Sequence, residues 1–429
     1  MEGSLAKGTV LHAQSGCSYT VNALLGAGGQ GEVYDVSTGG SHFALKWYFK
    51  QMATEQQKEI LKDLLNAGAP SSLFLWPEDF IESPSQGLFG YIMPLRPKEY
   101  KNIVDLMKRR IEPSFLSLCR ACFNLAKGYS LLHRQGYQYR DISFGNVFFN
   151  PNNGDILICD NDNVVPNGVK SGGVLGTPRF MAPEIVRGEM RPSRNTDKFS
   201  LAVLLFYMLM INHPLEGKLE ADIKCMDTPA LKKLYGTHPV FIYDPQDTSN
   251  RPVPGWQDNA IIYWKLYPKY IQDLFIKSFT VGLQKPEERV TENEWLAAFS
   301  QLIGGVINCP YCGVELFYDP ENDVTCWNCK KPVNMPTKIV FGKTKIPITA
   351  NKKIFSHQIY RDNDIDTIIA EFVINPKNPK IWGVKNKTAM NWTYIKADDS
   401  QIIVGQDKAA TIAPNTKIDF GNNVVGYFE

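Results

Sequence analysis

Several features that would mark a membrane, exported or nucleic-acid-binding protein are missing from this 429-residue chain. Its longest apolar run, residues 201–211, is too short to span a bilayer and is typical of a buried helix. The N-terminal residues lack the basic and apolar regions of a signal peptide. A formal net charge of +2 gives no electrostatic reason to expect binding to nucleic acid or to a membrane surface. We therefore expect no membrane span and no nucleic-acid partner.

The nine cysteines are odd in number and, across most of the chain, lack the spacing of a disulfide framework. This usage fits a reducing compartment better than an oxidising one, so we expect a cytoplasmic location. The length predicts two or three domains, one of them large enough for a substantial core.

Residues with catalytic potential concentrate in the turn-rich segment 138–147, which lies between a long helical pattern and a strand-like stretch at 155–159. Asp141 and Asn146 are five positions apart there, and a second acid, Asp160, follows the strand. An Asp that accepts a hydroxyl proton, with an Asn and an Asp that hold Mg²⁺, is the minimal equipment for phosphoryl transfer from ATP. The alternative interpretation is a polar loop between core elements.

A glycine-rich turn near the N-terminus favours the phosphoryl-transfer interpretation. A predicted strand at 21–25 leads into the spacing Gly26-x-Gly28-x-x-Gly31. Dinucleotide-binding folds use the same spacing, but there a helix follows and an acid stands about 20 residues further on. Here a strand-like stretch follows, and the residue 20 positions beyond Gly26 is Lys46. The pattern therefore predicts a hairpin whose backbone N–H groups cover phosphates.

The most specific motif is at residues 176–184, which read Gly-Thr-Pro-Arg-Phe-Met-Ala-Pro-Glu. It closely matches the G-T-P-x-[YF]-M-A-P-E segment of eukaryotic-like (Hanks-type) protein kinases. With Asp141, Lys46 and the glycine turn, it makes residues 18–304 resemble a bacterial serine/threonine kinase of this type. Small-molecule kinases of related fold generally lack the segment. The resemblance thus implies transfer of the γ-phosphate of ATP to Ser or Thr of the protein itself and of a protein partner.

The resemblance also implies roles for individual residues of the loop. Asp141 would orient or deprotonate the acceptor hydroxyl, and Asn146 and Asp160 would hold Mg²⁺ or Mn²⁺. Asp162 is an alternative metal ligand, but the apolar stretch 156–158 places Asp160 at the strand end and favours it.

Lys46 would hold the α- and β-phosphates and would need an acid to orient it. A predicted helix at 53–66 offers Glu55 and Glu59. The spacing to the helix break at Gly68 favours Glu59, which leaves Glu55 as a surface acid.

An ATP pocket follows from the same resemblance. Met93 would lie beside the adenine, Pro94 would contribute its carbonyl, and Arg96 would contribute the donor. The predicted nucleotide-binding residues are Gly26, Gly28, Gly31, Val33, Ala44, Lys46, Met93, Pro94 and Arg96.

A short activation loop is predicted between residues 163 and 176. Ser171 is the candidate regulatory phosphorylation site, with an unmodified flexible loop serine as the alternative. Arg140 would be available to bind a phosphate on this loop. Thr177 is expected to contact Asp141 and to shape the acceptor pocket.

Two contacts within the large lobe are implied as well. Asp197 would bond the backbone of the catalytic loop. Arg289 would pair with Glu184, with a surface arginine at a helix start as the alternative.

The four C-terminal cysteines have the spacing C-x₂-C-x₁₃-C-x₂-C, formed by Cys309, Cys312, Cys326 and Cys329. Four thiolates from two tight turns suit tetrahedral Zn²⁺ in a closed, structural site, which predicts a zinc ribbon. Iron in a rubredoxin-like site and a pair of disulfides are the alternatives. The ribbon has no strong basic face, so a protein contact or a rigid spacer is expected.

The predicted fold class is α+β: a bilobal protein-kinase fold, then a zinc ribbon and an all-β domain. The predicted boundaries are an N-terminal extension at 1–17, a kinase domain at 18–304 (small lobe 18–93, large lobe 97–304), a ribbon at 305–335 and a β-sandwich-like domain at 336–429. The last domain is vaguely similar to the forkhead-associated class, but the Arg- and Ser-containing binding loops of that class are not found. A protein-interaction module is therefore expected.

This order of domains resembles bacterial kinases, some of which are associated with a PP2C-type phosphatase and a von Willebrand A-type protein. Two departures from the kinase pattern keep a second hypothesis open: Ser143 stands where Lys is usual, and Asn161 where the Phe of D-F-G is expected. They motivate a nucleotide-binding pseudokinase scaffold that acts through the ribbon and the β-domain. A small-molecule kinase is disfavoured by residues 177–184.

Overall fold

The computed structural model describes residues 3–83, 85, 87–169, 174–319, 322, 324–334, 337–342 and 344–429. Its first part is a small lobe with a six-stranded antiparallel sheet in the order β1-β2-β3-β4-β6-β5. Alternating burial along the third strand shows that one face packs inward while the other meets solvent. The elements are β1 (Val10–His12), β2 (Ser18–Ala27), β3 (Gly31–Thr38), β4 (Ser41–Tyr48), α1 (Glu55–Ala67), β5 (Asp79–Ser83) and β6 (Leu88–Pro94).

Residues 3–17 belong to this lobe rather than forming a separate extension. Strand β1 pairs antiparallel with β2, and the Ser4 hydroxyl and backbone N–H both donate to the carboxylate of Glu32 on β3. The predicted boundary at 17 therefore divides one sheet. The sequence missed this because β1 is only three residues long.

The large lobe is helical and is built around two buried helices, which are packed together in one core. Serine N-caps fix where both begin, since Ser114 and Ser193 each accept a hydrogen bond from a backbone N–H of the first turn. The helices are α2 (Ile103–Met107), α3 (Phe115–Arg134), α4 (Pro183–Val186), α5 (Arg194–Met210), α6 (Lys218–Ala221), α7 (Thr228–Lys232), α8 (Asp258–Trp264), α9 (Lys269–Phe279), α10 (Val281–Gln284) and α11 (Glu292–Gly305).

Short strands hold the loops at the junction of the two lobes. A three-stranded sheet has the order β10-β9-β7, and a two-stranded sheet pairs β11 with β8. A 3₁₀ turn, Asn161–Asn163, follows β10 directly. The strands are β7 (Lys101–Asn102), β8 (Tyr137–Gln138), β9 (Val147–Phe149), β10 (Ile156–Ile158) and β11 (Val165–Pro166).

Beyond residue 305 the chain forms small β-hairpins and then two larger antiparallel sheets with a shared core. The six-stranded sheet has the order β17-β16-β25-β24-β21-β22, and the four-stranded sheet has the order β18-β19-β20-β23. A short helix, α12 (Ser356–Tyr360), lies between the strands of this otherwise β region. The strands are β12 (Val306–Asn308), β13 (Glu315–Phe317), β14 (Val324–Thr325), β15 (Pro332–Val333), β16 (Lys338–Phe341), β17 (Thr344–Pro347), β18 (Lys353–Phe355), β19 (Ile368–Ile374), β20 (Trp382–Asn386), β21 (Trp392–Ile395), β22 (Gln401–Val404), β23 (Ala409–Thr411), β24 (Lys417–Asp419) and β25 (Val425–Phe428).

The C-terminal sandwich is docked on helix α3 of the large lobe. Arg120 Nη1 donates to the carbonyl of Ile365 at 2.8 Å, and Nη2 pairs with the carboxylate of Asp366. Lys127 Nζ donates to the carbonyl of Asn363 at 3.0 Å. Among the described residues, none of the helices has both the length and the hydrophobicity that a membrane span requires.

Candidate active site

A cavity of about 830 Å³ lies between the small and large lobes. The glycine turn, the segment after β6 and the loop around Asp141 all contribute to its walls. Within the described part of the chain, the lining residues end at Val174, so the C-terminal modules leave the cavity open. The predicted residues that line it are Gly26, Gly28, Gly31, Val33, Ala44, Lys46, Met93, Pro94, Arg96, Asp141, Asn146 and Asp160.

The roof of the cavity is the turn between β2 and β3. The Gly28 N–H donates to the carbonyl of Gly31 at 2.9 Å and closes the turn. A Cβ atom at Gly31 would lie 2.2 Å from the carbonyl oxygen of Trp47, so a side chain is sterically excluded there. Glycine at this position lets β3 approach β4 closely and keeps the roof as bare backbone.

The rear wall is formed where β6 ends. Met93 pairs with Ala44 of β4 in the sheet register, and both side chains are buried. The Arg96 guanidinium packs over the ring of Phe148 with its carbon 4.0 Å from the ring centroid. Arg96 Nη1 also donates to the carbonyl of Tyr100 at 2.6 Å, which fixes the side chain at the edge of the cavity.

Asp141 is held by hydrogen bonds to both carboxylate oxygens. Thr177 Oγ1 donates to Oδ1 at 2.8 Å, and Asn146 Nδ2 donates to Oδ2 at 3.1 Å. The predicted contact between Thr177 and Asp141 is therefore confirmed. Asn146 Nδ2 also donates to the Asp141 carbonyl at 2.9 Å, so the amide closes the loop that carries the acid.

The backbone of this loop is hydrogen-bonded to the buried carboxylate of Asp197, as predicted. Asp197 accepts the N–H groups of Tyr139 at 2.6 Å and Arg140 at 3.0 Å. His133 bridges Asp197 and Glu292, with nitrogen–oxygen distances of 3.0 and 2.6 Å. Burial alone would lower the pKa of His133, but its hydrogen bonds to the two carboxylates outweigh burial and raise the pKa to about 9.

The two acids after β10 face different environments. Asp160 has a left-handed backbone (φ 51°), and its side chain is 41% exposed toward the cavity. Asp162 is fully buried, and its carboxylate accepts hydrogen bonds from Lys46 Nζ and the Tyr48 hydroxyl. Asp160 therefore faces the cavity and Asp162 does not, and the metal-binding role of Asp160 remains a prediction.

Lys46 lines the cavity, and its Nζ contacts three polar side chains among the residues that the structure describes. It is 2.8 Å from Asp162 Oδ2, 3.5 Å from Asp160 Oδ1 and 2.7 Å from Gln30 Oε1. Burial alone would lower the pKa of Lys46, but attraction to Asp162 and then Asp160 raises it above its usual value. Lys46 is therefore a cation that faces the space beneath the glycine turn.

A buried ion pair fixes the segment after Thr177 to the large lobe. Arg289 donates from Nη1 and Nη2 to the two oxygens of Glu184 at 2.7 and 2.8 Å. Both residues are almost fully buried. The pair predicted from the sequence is confirmed, and the surface alternative for Arg289 is wrong.

Comparison with known proteins agrees with this geometry. A family model described as a protein kinase domain matches residues 19–297, which is more than half of the chain. The chain belongs to the protein kinase family. This match supports the prediction of a serine/threonine protein kinase made from the sequence motifs.

Individual relatives are similar over different lengths of this chain. Protein kinase YegI of Escherichia coli O157:H7 is 23% identical over 341 residues, covering 71% of this chain and 50% of the relative. Protein kinase C delta type of Mus musculus is 33% identical over 132 residues, covering 29% of this chain and 19% of the relative. A probable serine/threonine-protein kinase, CCRP1 of Zea mays, is 29% identical over 127 residues, covering 29% of this chain and 20% of the relative. The chain thus spans half or less of the length of these relatives.

The predicted partner of Lys46 is wrong in this kinase structure. Glu59 is exposed on helix α1, whereas Lys46 pairs with the buried Asp162. The physical reason is the rotation of α1, which turns Gln57 toward the site and both Glu55 and Glu59 toward solvent. The sequence offered two acids on the right helix, but spacing alone did not show which face was buried.

The candidate regulatory residues have separate outcomes. Arg140 is mostly buried, and its Nε donates to the carbonyl of Asn163 at 2.7 Å. Ser171 lies outside the residues that the structure describes. The phosphate-binding role of Arg140 and the modification of Ser171 remain predictions.

Three residues around Lys46 were not anticipated from the sequence: Gln30, Tyr48 and Tyr91. Gln30 Nε2 also donates to Asn163 Oδ1 at 3.2 Å and so links the glycine turn to the large lobe. Tyr48 follows Lys46 by two positions on β4 and therefore shares its face of the sheet. That spacing was a usable signal for Tyr48, whereas Tyr91 comes from another strand.

The four C-terminal cysteines form the compact cluster that the spacing predicted. All four sulfur atoms lie within 4.8 Å of one another, with Cys309–Cys329 and Cys312–Cys326 at 3.8 and 3.7 Å. A tetrahedral site with Zn–S bonds of about 2.3 Å requires sulfur separations near 3.8 Å. The cluster therefore fits Zn²⁺, and the separations exceed the S–S distance of about 2.05 Å in a disulfide.

Proposed function

We propose that this protein is an ATP-dependent serine/threonine protein kinase that phosphorylates itself and a protein partner. The observation that carries the proposal is the convergence of Asp141, Asn146, Asp160 and Lys46 on one cavity beneath a glycine turn. Asp141 would orient or deprotonate the acceptor hydroxyl, since its carboxylate is positioned by Thr177 and Asn146. Lys46 would hold the α- and β-phosphates.

ATP and a divalent metal are the reagents that these residues fit. Asp160 and Asn146 would hold Mg²⁺ or Mn²⁺, because both line the cavity and offer oxygen ligands. When bound, the metal neutralises charge on the phosphates. Ser143 supplies no cation beside Asp141, so stabilisation of the transferred phosphate would fall to Lys46 and the metal.

A protein acceptor is favoured over a small molecule by the segment around Thr177. The Glu184–Arg289 pair anchors this segment on the large lobe, and the Thr177–Asp141 bond aligns it with the catalytic loop. Together they support a platform on which an extended peptide could present its hydroxyl to Asp141. Zn²⁺ in the four-cysteine cluster would be structural, because the site has no open position.

A broader biological setting is part of the proposal. The order of kinase, ribbon and β-domain supports a role in bacterial signalling, with a PP2C-type phosphatase and a von Willebrand A-type protein as partners. The β-domain would serve as an interaction module. The cysteine usage supports a cytoplasmic location.

Transfer of labelled phosphate from ATP with Mg²⁺ or Mn²⁺ tests the proposal. The native protein should label itself or a generic protein acceptor, and Asp141→Asn should abolish labelling. Asp273→Asn is a matched control, because Asp273 is exposed on α9 and pairs with Lys269 of its own helix.

Two results would contradict a protein kinase. Tight ATP binding without transfer to any protein acceptor would favour the nucleotide-binding scaffold. Transfer to sugars or small alcohols alone would leave the fold intact and would refute the protein substrate.

A further inference from the structure

Lys46 takes its charge partner from the turn after β10, and helix α1 supplies an amide instead of an acid. We infer that Asp162 is the positioning residue for Lys46, in place of an acid on helix α1. The inference rests on the proposed function, since it concerns how the phosphate-binding lysine of that reaction is held.

The first observation is the bonding of the Asp162 carboxylate. Lys46 Nζ donates to both oxygens, at 3.0 Å to Oδ1 and 2.8 Å to Oδ2. The Tyr48 hydroxyl donates to Oδ2, and the Tyr91 hydroxyl lies 3.4 Å from Oδ1. Each oxygen thus has two partners, which defines one orientation of the carboxylate.

The second observation is that both Lys46 and Asp162 are buried. Asp162 is 0% exposed and Lys46 is 4% exposed, so water does not compete for the hydrogen bonds between them. Asp162 therefore fixes the position of the Lys46 ammonium group on the wall of the cavity.

Helix α1 contributes to the same network in a different way. Gln57 Nε2 donates to the backbone carbonyl of Asp162 at 3.0 Å and lies 3.4 Å from the Tyr48 hydroxyl. Glu55 and Glu59 are exposed on the other side of the helix. Gln57 of helix α1 therefore stabilises the turn through its backbone, and Asp162 in that turn pairs with Lys46.

The short turn at residues 160–162 carries both Asp160, which lines the cavity, and Asp162, which pairs with Lys46. Asp160 faces the cavity, and Asp162 holds Lys46 from below, on either side of the buried Asn161. Asn161 Nδ2 locks the turn by donating to the carbonyls of Leu75 and Ile158 at 2.8 and 3.0 Å. Asn161, read from sequence as a departure, is here the residue that fixes both acids.

Asp162→Asn tests the inference through steady-state kinetics and ATP binding by calorimetry. The variant should raise the KM and Kd for ATP by about tenfold and should lower kcat/KM by about a hundredfold, as expected for a displaced catalytic cation. If helix α1 supplies no acid to Lys46, Glu59→Gln should change the KM for ATP, the Kd for ATP and kcat/KM by no more than about twofold. Asp63→Asn, at an exposed position of α1, is the matched control for the substitution itself.

A second variant protects the test against misfolding. If thermal unfolding shows that Asp162→Asn is not folded, Tyr48→Phe decides, because it removes one donor to Asp162 and keeps both charges. A raised KM and Kd for ATP in Tyr48→Phe would support the inference, and unchanged values would overturn it. With a folded Asp162→Asn, normal ATP affinity together with a loss in Glu59→Gln would also overturn it.

The binding readout separates this inference from the proposed function. If the native protein transfers no phosphate, the protein-kinase proposal fails. The effect of Asp162→Asn on the Kd for ATP still tests whether Asp162 positions Lys46.

Discussion

The Glu315 carboxylate accepts hydrogen bonds from the backbone N–H groups of Phe115 and Leu116, at 2.5 and 3.3 Å. Glu315 is on strand β13 next to the cysteine cluster, and Phe115 begins the central helix α3 of the large lobe. Trp327, between the last two cysteines, donates to the Glu315 carbonyl at 2.9 Å. The segment that carries the cysteine cluster therefore caps the helix that leads into the catalytic loop.

Removal of this cap should destabilise the kinase domain. Glu315→Ala should lower the free energy of unfolding by about 1 kcal/mol, because two N–H groups and the positive end of the helix lose their partner. Urea denaturation measures the change. Glu287→Ala, at an exposed position, should have little effect, and equal stability of the two variants would contradict the capping role.

Loss of Zn²⁺ from the cysteine cluster should weaken the same contact between Glu315 and the start of helix α3. Zinc analysis should find about one Zn²⁺ per chain, and Cys326→Ser should remove it and lower the melting temperature of the kinase domain. The physical reason is that Glu315 and Trp327 are held in place by the cluster. Cys225→Ser is the control, because Cys225 is exposed and outside the cluster. A zinc-free Cys326→Ser protein that melts like the native one would refute the coupling.

The Glu184–Arg289 pair predicts a large effect of a single substitution. Arg289→Met should cost about 3–5 kcal/mol in the free energy of unfolding, because it leaves the Glu184 carboxylate buried without a cation. Chemical denaturation with Arg191→Met, an exposed arginine in the same lobe, provides the comparison. Similar losses in the two variants would show that the pair is unimportant.

His133 predicts a fall in stability at alkaline pH. Its pKa is raised from 6.5 to about 9 in the folded protein, so folding favours the protonated ring. This contribution is fully present below pH 6.5, is lost as the pH rises through 9, and amounts to about 3 kcal/mol at most. Melting temperatures of the native protein and His133→Gln should converge as the pH rises from 6 to 10. Parallel curves would contradict the assignment.

Local sequence patterns predicted the elements well where periodicity decides structure. The long helical pattern before residue 138 corresponds to helix α3, and the strand-like stretch at 155–159 contains strand β10. The cavity residues were also found, because short motifs fix them relative to the strands that carry them.

The environment of Lys46 could not be predicted in the same way. Its partner depends on how helix α1 is rotated against the sheet, and both Gln57 and Glu59 lie in one turn of that helix. Only tertiary packing selects the amide over the acid. Residues 215–265 show a related limit, since helices α6, α7 and α8 are all seven residues or fewer, too short for a periodic pattern to reveal them.

The docking of the sandwich on α3 has a consequence for how this protein can vary in evolution. Arg120 and Lys127 bind the main-chain oxygens of Ile365 and Asn363, which every amino acid possesses. The orientation of the sandwich therefore depends mainly on the course of this main chain, with the Asp366 carboxylate as a further partner of Arg120. We expect related chains to keep the two cations, the loop length and an apolar residue at 365, because Ile365 is buried in the core of the large lobe.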